Sequence, residues 1–100
     1  MRLYVLGDEQ AVLGFSLTGV RGTVARTPEE AQRGLNEVLD DSTIGILLVT
    51  ADVASMIRNR VDRLMIAAEL PLILEIPSSK GAFAEISIRR FISEAIGVSL

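Results

Sequence analysis

Ile44-Gly45-Ile46-Leu47-Leu48-Val49 is the stretch on which the fold turns. Every position except Gly45 is apolar, with no alternation between polar and apolar. A strand with one face in water alternates, whereas a continuous aliphatic run of this length suits a parallel strand covered on both faces. The run is therefore read as strand three and as the middle of a sheet. Around it, short aliphatic runs alternate with longer stretches of 3.6-residue period, the pattern of an α/β domain.

Working outward, Leu3-Tyr4-Val5-Leu6 forms strand one and stops at Gly7-Asp8. A short helix follows, reaching about Gly19, with Val12, Phe15 and Ser16 on one side and Leu13 and Leu17 close by. Gly22 to Arg26 is strand two. Thr27-Pro28-Glu29-Glu30 then combines Thr as N-cap, Pro at the first helical position and Glu at the third, a capping-box pattern. The helix it opens buries Ala31, Leu35, Val38 and Leu39 and stops around Asp40-Asp41-Ser42. After strand three, Thr50-Ala51-Asp52 caps one helix with a core stripe of Val53, Met56, Ile57, Val61 and Leu64, leaving Arg58, Asn59, Asp62 and Arg63 outward. Leu72 to Ile76 is strand four, between Pro71 and Pro77. A last helix, about residues 83–97, carries Ile88, Phe91, Ile92, Ala95 and Ile96 on one face. Four strands, each followed by a helix, with right-handed crossovers, give a single small flavodoxin-like domain over residues 1–100: a four-stranded parallel sheet of order 2-1-3-4 with helices on both faces.

Composition narrows the chemistry. The 100 residues contain no Cys and no His, which removes imidazole bases, thiol nucleophiles, disulfides and Cys/His zinc sites. Mean hydropathy is +0.41, yet no apolar run approaches the roughly 18 to 20 residues of a bilayer span. The first residues break at Gly7-Asp8-Glu9 and do not read as a signal peptide, so a cytoplasmic location without membrane insertion is expected. Net charge is −3, and the ten bases form no tract, which argues against nucleic acid as a partner.

Ligands of open parallel sheets bind beyond the C-terminal strand ends. Asp8 and Glu9 after strand one, Asp52 after strand three and Lys80, the only lysine, stand there and suggest a phosphoacceptor receiver, in which carboxylates hold Mg²⁺. Against that reading, Asp52 falls two residues past Thr50, inside the first helical turn, where an Asp serves the helix dipole. No G-x-G-x-x-G follows strand one and no G-x-x-x-x-G-K-[ST] occurs anywhere, so neither nucleotide loop is present. Gly19-Val20-Arg21-Gly22 has G-x-x-G spacing but leads into a strand and reads as a tight turn. Glu29-Glu30 and Asp40-Asp41 lie at opposite ends of one helix and make no acid/base dyad. No catalytic, cofactor-binding or metal-binding residue is expected. In the last helix, Ile86 lies away from the core stripe and Arg89-Arg90 flank the element, a combination suited to gripping a partner.

Three blocks carry a resemblance: Val5-Leu6-Gly7-Asp8-Glu9 running into Val12-Leu13-Gly14-Phe15-Ser16-Leu17-Thr18-Gly19; Ile46-Leu47-Leu48-Val49-Thr50 followed by Asp52-Val53-Ala54; and Pro71-Leu72-Ile73-Leu74-Glu75-Ile76-Pro77-Ser78. On these the chain resembles the F subunit of the V-type and archaeal A-type rotary ATPases, including the bacterial V/A-type enzymes. The resemblance implies a non-catalytic subunit of the central rotor stalk, peripheral to a membrane-bound complex. It would bind the coiled-coil D subunit and turn inside the catalytic head of A and B subunits, with a mobile, regulatory C-terminal helix reaching toward A and B. No cofactor is implied. The partner-contact candidates are Ile86, Arg89, Arg90, Ser93 and Ile96, with Arg60 and Arg63 behind them. A stand-alone receiver-like phosphoacceptor domain and an unrelated small adaptor remain the alternatives.

Overall fold

A computed structural model of the chain describes residues 2–67 and 69–78. Its elements run β1 (Arg2–Gly7), α1 (Glu9–Ser16), β2 (Arg21–Val24), α2 (Pro28–Leu39), β3 (Ile44–Thr50), α3 (Ala51–Met56), α4 (Arg58–Ala67) and β4 (Leu72–Ile76). The four strands form one sheet of order β2-β1-β3-β4, and every neighbouring pair is parallel. This is the small flavodoxin-like α/β arrangement expected from the sequence.

β3 is interior, paired with β1 on one edge and β4 on the other. Alternate residues serve opposite faces. Leu47 and Val49 join Leu6 and Ile73 on one face, packed beneath Ala31, Leu35 and Val38 of α2, Val53 and Ala54 of α3, and Val61 of α4. Leu48 lies on the other face with Val5 and Ile76, against Val12 and Phe15 of α1. Both faces being apolar explains why β3 has no polar alternation.

The helix termini follow their sequence signals. Thr27 Oγ1 accepts from the Glu30 N–H at 3.1 Å, and Glu30 Oε1 accepts from the Arg26 N–H at 2.7 Å, one residue earlier than in the reciprocal box. Gly19 takes φ +86°, the left-handed conformation that lets the chain leave α1, and the Val20 N–H closes onto the Phe15 carbonyl at 3.1 Å. That turn accounts for the first glycine of Gly19-Val20-Arg21-Gly22.

Several boundaries differ from the sequence reading: α1 ends at Ser16, short of Gly19, β2 spans Arg21–Val24 in place of Gly22 to Arg26, and the stretch after Thr50 differs most. The single helix expected after Thr50 is two, broken at Ile57 (φ −131°, ψ 39°), whose N–H bonds to Ala54 O at 3.2 Å in a tightened turn. The core stripe survives, because Val53, Ile57 and Val61 are all buried. The residues expected in a last helix, 83–97, lie outside the described residues.

Leu47 is fully buried between strands and helices, so Leu47→Ala is expected to cost about 2–5 kcal/mol of unfolding free energy through lost burial and the cavity left behind. Urea denaturation of the purified chain checks this; a loss below about 0.5 kcal/mol would contradict the packing described.

Candidate functional site

The sheet changes winding direction between β1 and β3, which makes the crevice beyond their C-terminal ends the first place to look for a ligand. The two strands close tightly there. A Cβ on Gly7 would lie 2.6 Å from Thr50 Cγ2, so only glycine fits. Thr50 is fully buried and its Oγ1 accepts from the Asp8 N–H at 3.2 Å, which bolts the β1 exit to the end of β3. Thr50 is the N-cap residue of α3, but its side chain makes no capping bond because it is turned to Asp8. Asp8 caps α1: Oδ1 accepts from the Ala11 N–H at 2.9 Å, while Ser78 Oγ donates to Oδ2 at 3.3 Å. Each Asp8 oxygen is thus engaged in holding its own helix or the β4 exit.

The other carboxylates at this edge do not converge. Glu9 turns to Arg26 at 3.0 Å, an exposed pair of little energetic weight. Asp52 lies in the first turn of α3, where its charge favours the helix N-terminus, and its Oδ1 is buried without a hydrogen-bond partner among the described residues. Among those residues, no group of three carboxylates could hold a metal ion. Lys80, the remaining member of the receiver-like set, lies outside them. Asp8, Thr50 and Ser78 are therefore brought together as a structural clasp, and Glu9 faces elsewhere.

The partner-contact candidates divide in the same way. Arg60 reaches across to α2, donating to Gln32 Oε1 at 2.6 Å and to Asn36 Oδ1, so it ties two helices together. Arg63 is exposed on α4, with neither hydrogen bond nor ion pair among the described residues. Ile86, Arg89, Arg90, Ser93 and Ile96 lie outside the described residues.

Two features escaped the sequence reading. Arg58 does not simply point outward: it forms a two-pronged bond with Glu75 on β4, at 2.6 and 3.0 Å, and also reaches Asp62 at 3.3 Å. Nothing in a 17-residue separation announces such a pair, although an acid inside an aliphatic strand is a signal that some cation must meet it. The second feature is that Leu13 and Leu17 face solvent, as does Ser16, which the periodicity had put on the side of Val12 and Phe15.

Fold and site together define a small parallel α/β domain whose strand-end polar groups hold its own loops and helices. The ATP synthase (F/14-kDa) subunit family matches residues 3–92, and the chain belongs to that family. It is similar to the A-type ATP synthase F subunit of Thermococcus kodakarensis, 35% identical over 106 aligned residues that cover 100% of this chain and 98% of that protein. The F subunit of the Methanothermobacter thermautotrophicus A-type synthase is 33% identical over 99 residues, covering 96% of this chain and 92% of its own length. That of Methanocaldococcus jannaschii is 28% identical over 102 residues, covering 100% and 99%. The chain is thus an ATP synthase subunit, as its strand and loop blocks suggested. No helix among the described residues is long and apolar enough to cross a membrane.

The Arg58 hydrogen bonds hold the Glu75 carboxyl below its ordinary value of 4.5. A carboxyl lowered by folding adds stability that is complete above its unfolded value and is lost as pH falls through its folded value. Glu75→Gln is therefore expected to lower Tm by a few degrees at pH 7, with the gap to the wild type closing below about pH 4.5. Thermal melts from about pH 7 to about pH 3 check this, and a gap that is unchanged or widens on acidification would contradict it.

Proposed function

We propose that this chain is a non-catalytic rotor subunit in the central stalk of a V/A-type ATPase or ATP synthase. In this reading it couples the nucleotide cycle of the head to ion transport and tunes the ATPase rate. The observation that carries this is the family match across residues 3–92, with relatives named as the F subunit of A-type synthases aligned over nearly their whole length. The domain binds the side of the coiled-coil D subunit, and the segment 83–97 reaches toward the A and B subunits. Ile86, Arg89, Arg90, Ser93 and Ile96 make those contacts, Arg63 adds an exposed cation, and Arg60 contributes through the surface it shares with α2. The subunit acts at the cytoplasmic side as a peripheral part of a membrane-bound complex.

Two properties of the molecule suit that work. Asp8, Thr50 and Ser78 are occupied by one another and by α1, which fits a part that transmits force and holds no nucleotide. A sheet packed on both faces also deforms little under load, since close-packed interiors transmit strain.

The isolated chain is expected neither to bind nor to hydrolyse ATP, and to co-elute with a co-expressed D subunit on size-exclusion chromatography. ATP turnover by the pure chain, failure to form a D complex, or acetyl-phosphate labelling that depends on Asp52 would overturn the proposal, the last in favour of a receiver-like domain.

A further inference from the structure

β4 turns its polar residue toward a face that is already covered. Ile73 belongs to the core under α2, α3 and α4, and Glu75, on the same side of the strand, meets Arg58 of α4. Leu72, Leu74 and Ile76 alternate onto the opposite face, where register sets Leu72 beside Ile46 and Leu74 beside Leu48. Short of the clasp at Thr50, the β3–β4 half of that face carries no polar side chain. A sheet face that stays in water carries polar residues, so this half has the composition of a covered one.

The described helices cover it only in part. α3 and α4 reach β4 from the other side, and α1 packs on β1 and β2. α1 is displaced toward β2, because a Cβ on Gly22 would lie 3.2 Å from Val12 Cγ1, and Glu9 pairs with Arg26 just past that strand. Exposure accordingly rises along β4, from buried Ile76 beside the clasp to half-buried Leu74 and then Leu72, which is 46% exposed. At about 100° per residue, Ala11 and Gly14 fall on the flank of α1 away from Val12, toward β3 and β4. A Cβ on Gly14 would meet no described atom within 4 Å, so a second helix has room to lie close alongside.

We infer that the surface of Ile46, Leu48, Leu72, Leu74 and Ile76 is the seat of this chain's own residues 83–97, whose stripe of Ile88, Phe91, Ile92, Ala95 and Ile96 lies on it beside α1. Where the chain leaves β4 favours that occupant. Ser78 Oγ donates to Asp8 Oδ2, and Asp8 caps α1, so the exit from β4 turns onto the side of the sheet where α1 lies. Twenty-two residues follow Ser78. A helix over 83–97 is about 22 Å long, and β4 and β3, of five and seven residues, are about 17 and 23 Å, so it runs the length of the face. Residues 79–82 form a tether that holds the stripe at a roughly millimolar effective concentration, which puts a second copy at a disadvantage. Ile86, Arg90 and Ser93 fall on the far side of the seated helix and stay outward. The inference concerns the chain by itself and stands whether or not D is its partner.

Nuclear Overhauser contacts in the free, full-length chain test the seat without any substitution. Phe91 ring protons should show contacts to the methyl groups of Ile46 or Leu74, and these should be lost when isotope filtering selects contacts between labelled and unlabelled copies. No such contact, or one found only between copies, would overturn the inference, the second in favour of a dimer. The chain has no cysteine, so Leu74→Cys supplies a single thiol for a second arm by maleimide labelling. Adding Ile92→Asp, which puts a charge in the stripe, should speed labelling at least tenfold, while Glu94→Lys on the outer side of the same helix should leave the rate unchanged. Equal rates for the two variants would contradict the seat, as would a thiol at position 74 that is open in the free chain and closes only when the D subunit is added, which would give the face to D.

Discussion

Everything in the described structure depends on burying β3 from four directions. Its two edges are hydrogen-bonded to β1 and β4, and its two faces are covered, by α2, α3 and α4 on one side and by α1 side chains on the other. Leu47 and Val49 are completely buried, and Leu48 nearly so. A strand so placed cannot slip by one residue, although both faces are apolar, because its partners on each side are fixed in register and differ in size. The order β2-β1-β3-β4 and the reversal of winding between β1 and β3 follow from placing this strand next to β1.

That placement also determines what the strand ends can do. In an open parallel sheet the crevice beside β1 and β3 is where a ligand would sit. Here Gly7 and Thr50 meet too closely to admit even a Cβ, and the Thr50 hydroxyl is used to anchor Asp8. Asp8 in turn fixes the start of α1 and accepts from Ser78 at the β4 exit. Asp8, one of the groups that suggested receiver chemistry, thus braces the strand ends, and the outward-facing surfaces become the parts of the molecule available to other subunits.

Much of this was legible in the sequence, and the reasons differ by element. The unbroken apolar run of β3 and the Thr27-Pro28-Glu29-Glu30 start of α2 are local signals with one physical meaning each, and both places came out as read. The break at Ile57 left no trace because Val53, Ile57 and Val61 keep helical spacing across it and no Gly or Pro marks it. The Arg58–Glu75 bond joins residues that only the tertiary fold brings together. Leu13 and Leu17 were placed only close by the side of Val12, Phe15 and Ser16, because periodicity distinguishes the two faces of a helix only when one of them is polar, and α1 has no charge beyond Glu9. The candidate site was therefore legible as a set of residue types at strand ends, while its actual use in bracing the fold was not.

Rotation is the central claim, and a single-molecule assay tests it most directly. With the A and B head fixed to a surface and a bead attached to this chain through a cysteine placed at exposed Ser42, ATP should drive continuous one-directional turning of the bead. A bead that stays still on this chain, while one attached to the D subunit in the same preparation turns, would contradict the account.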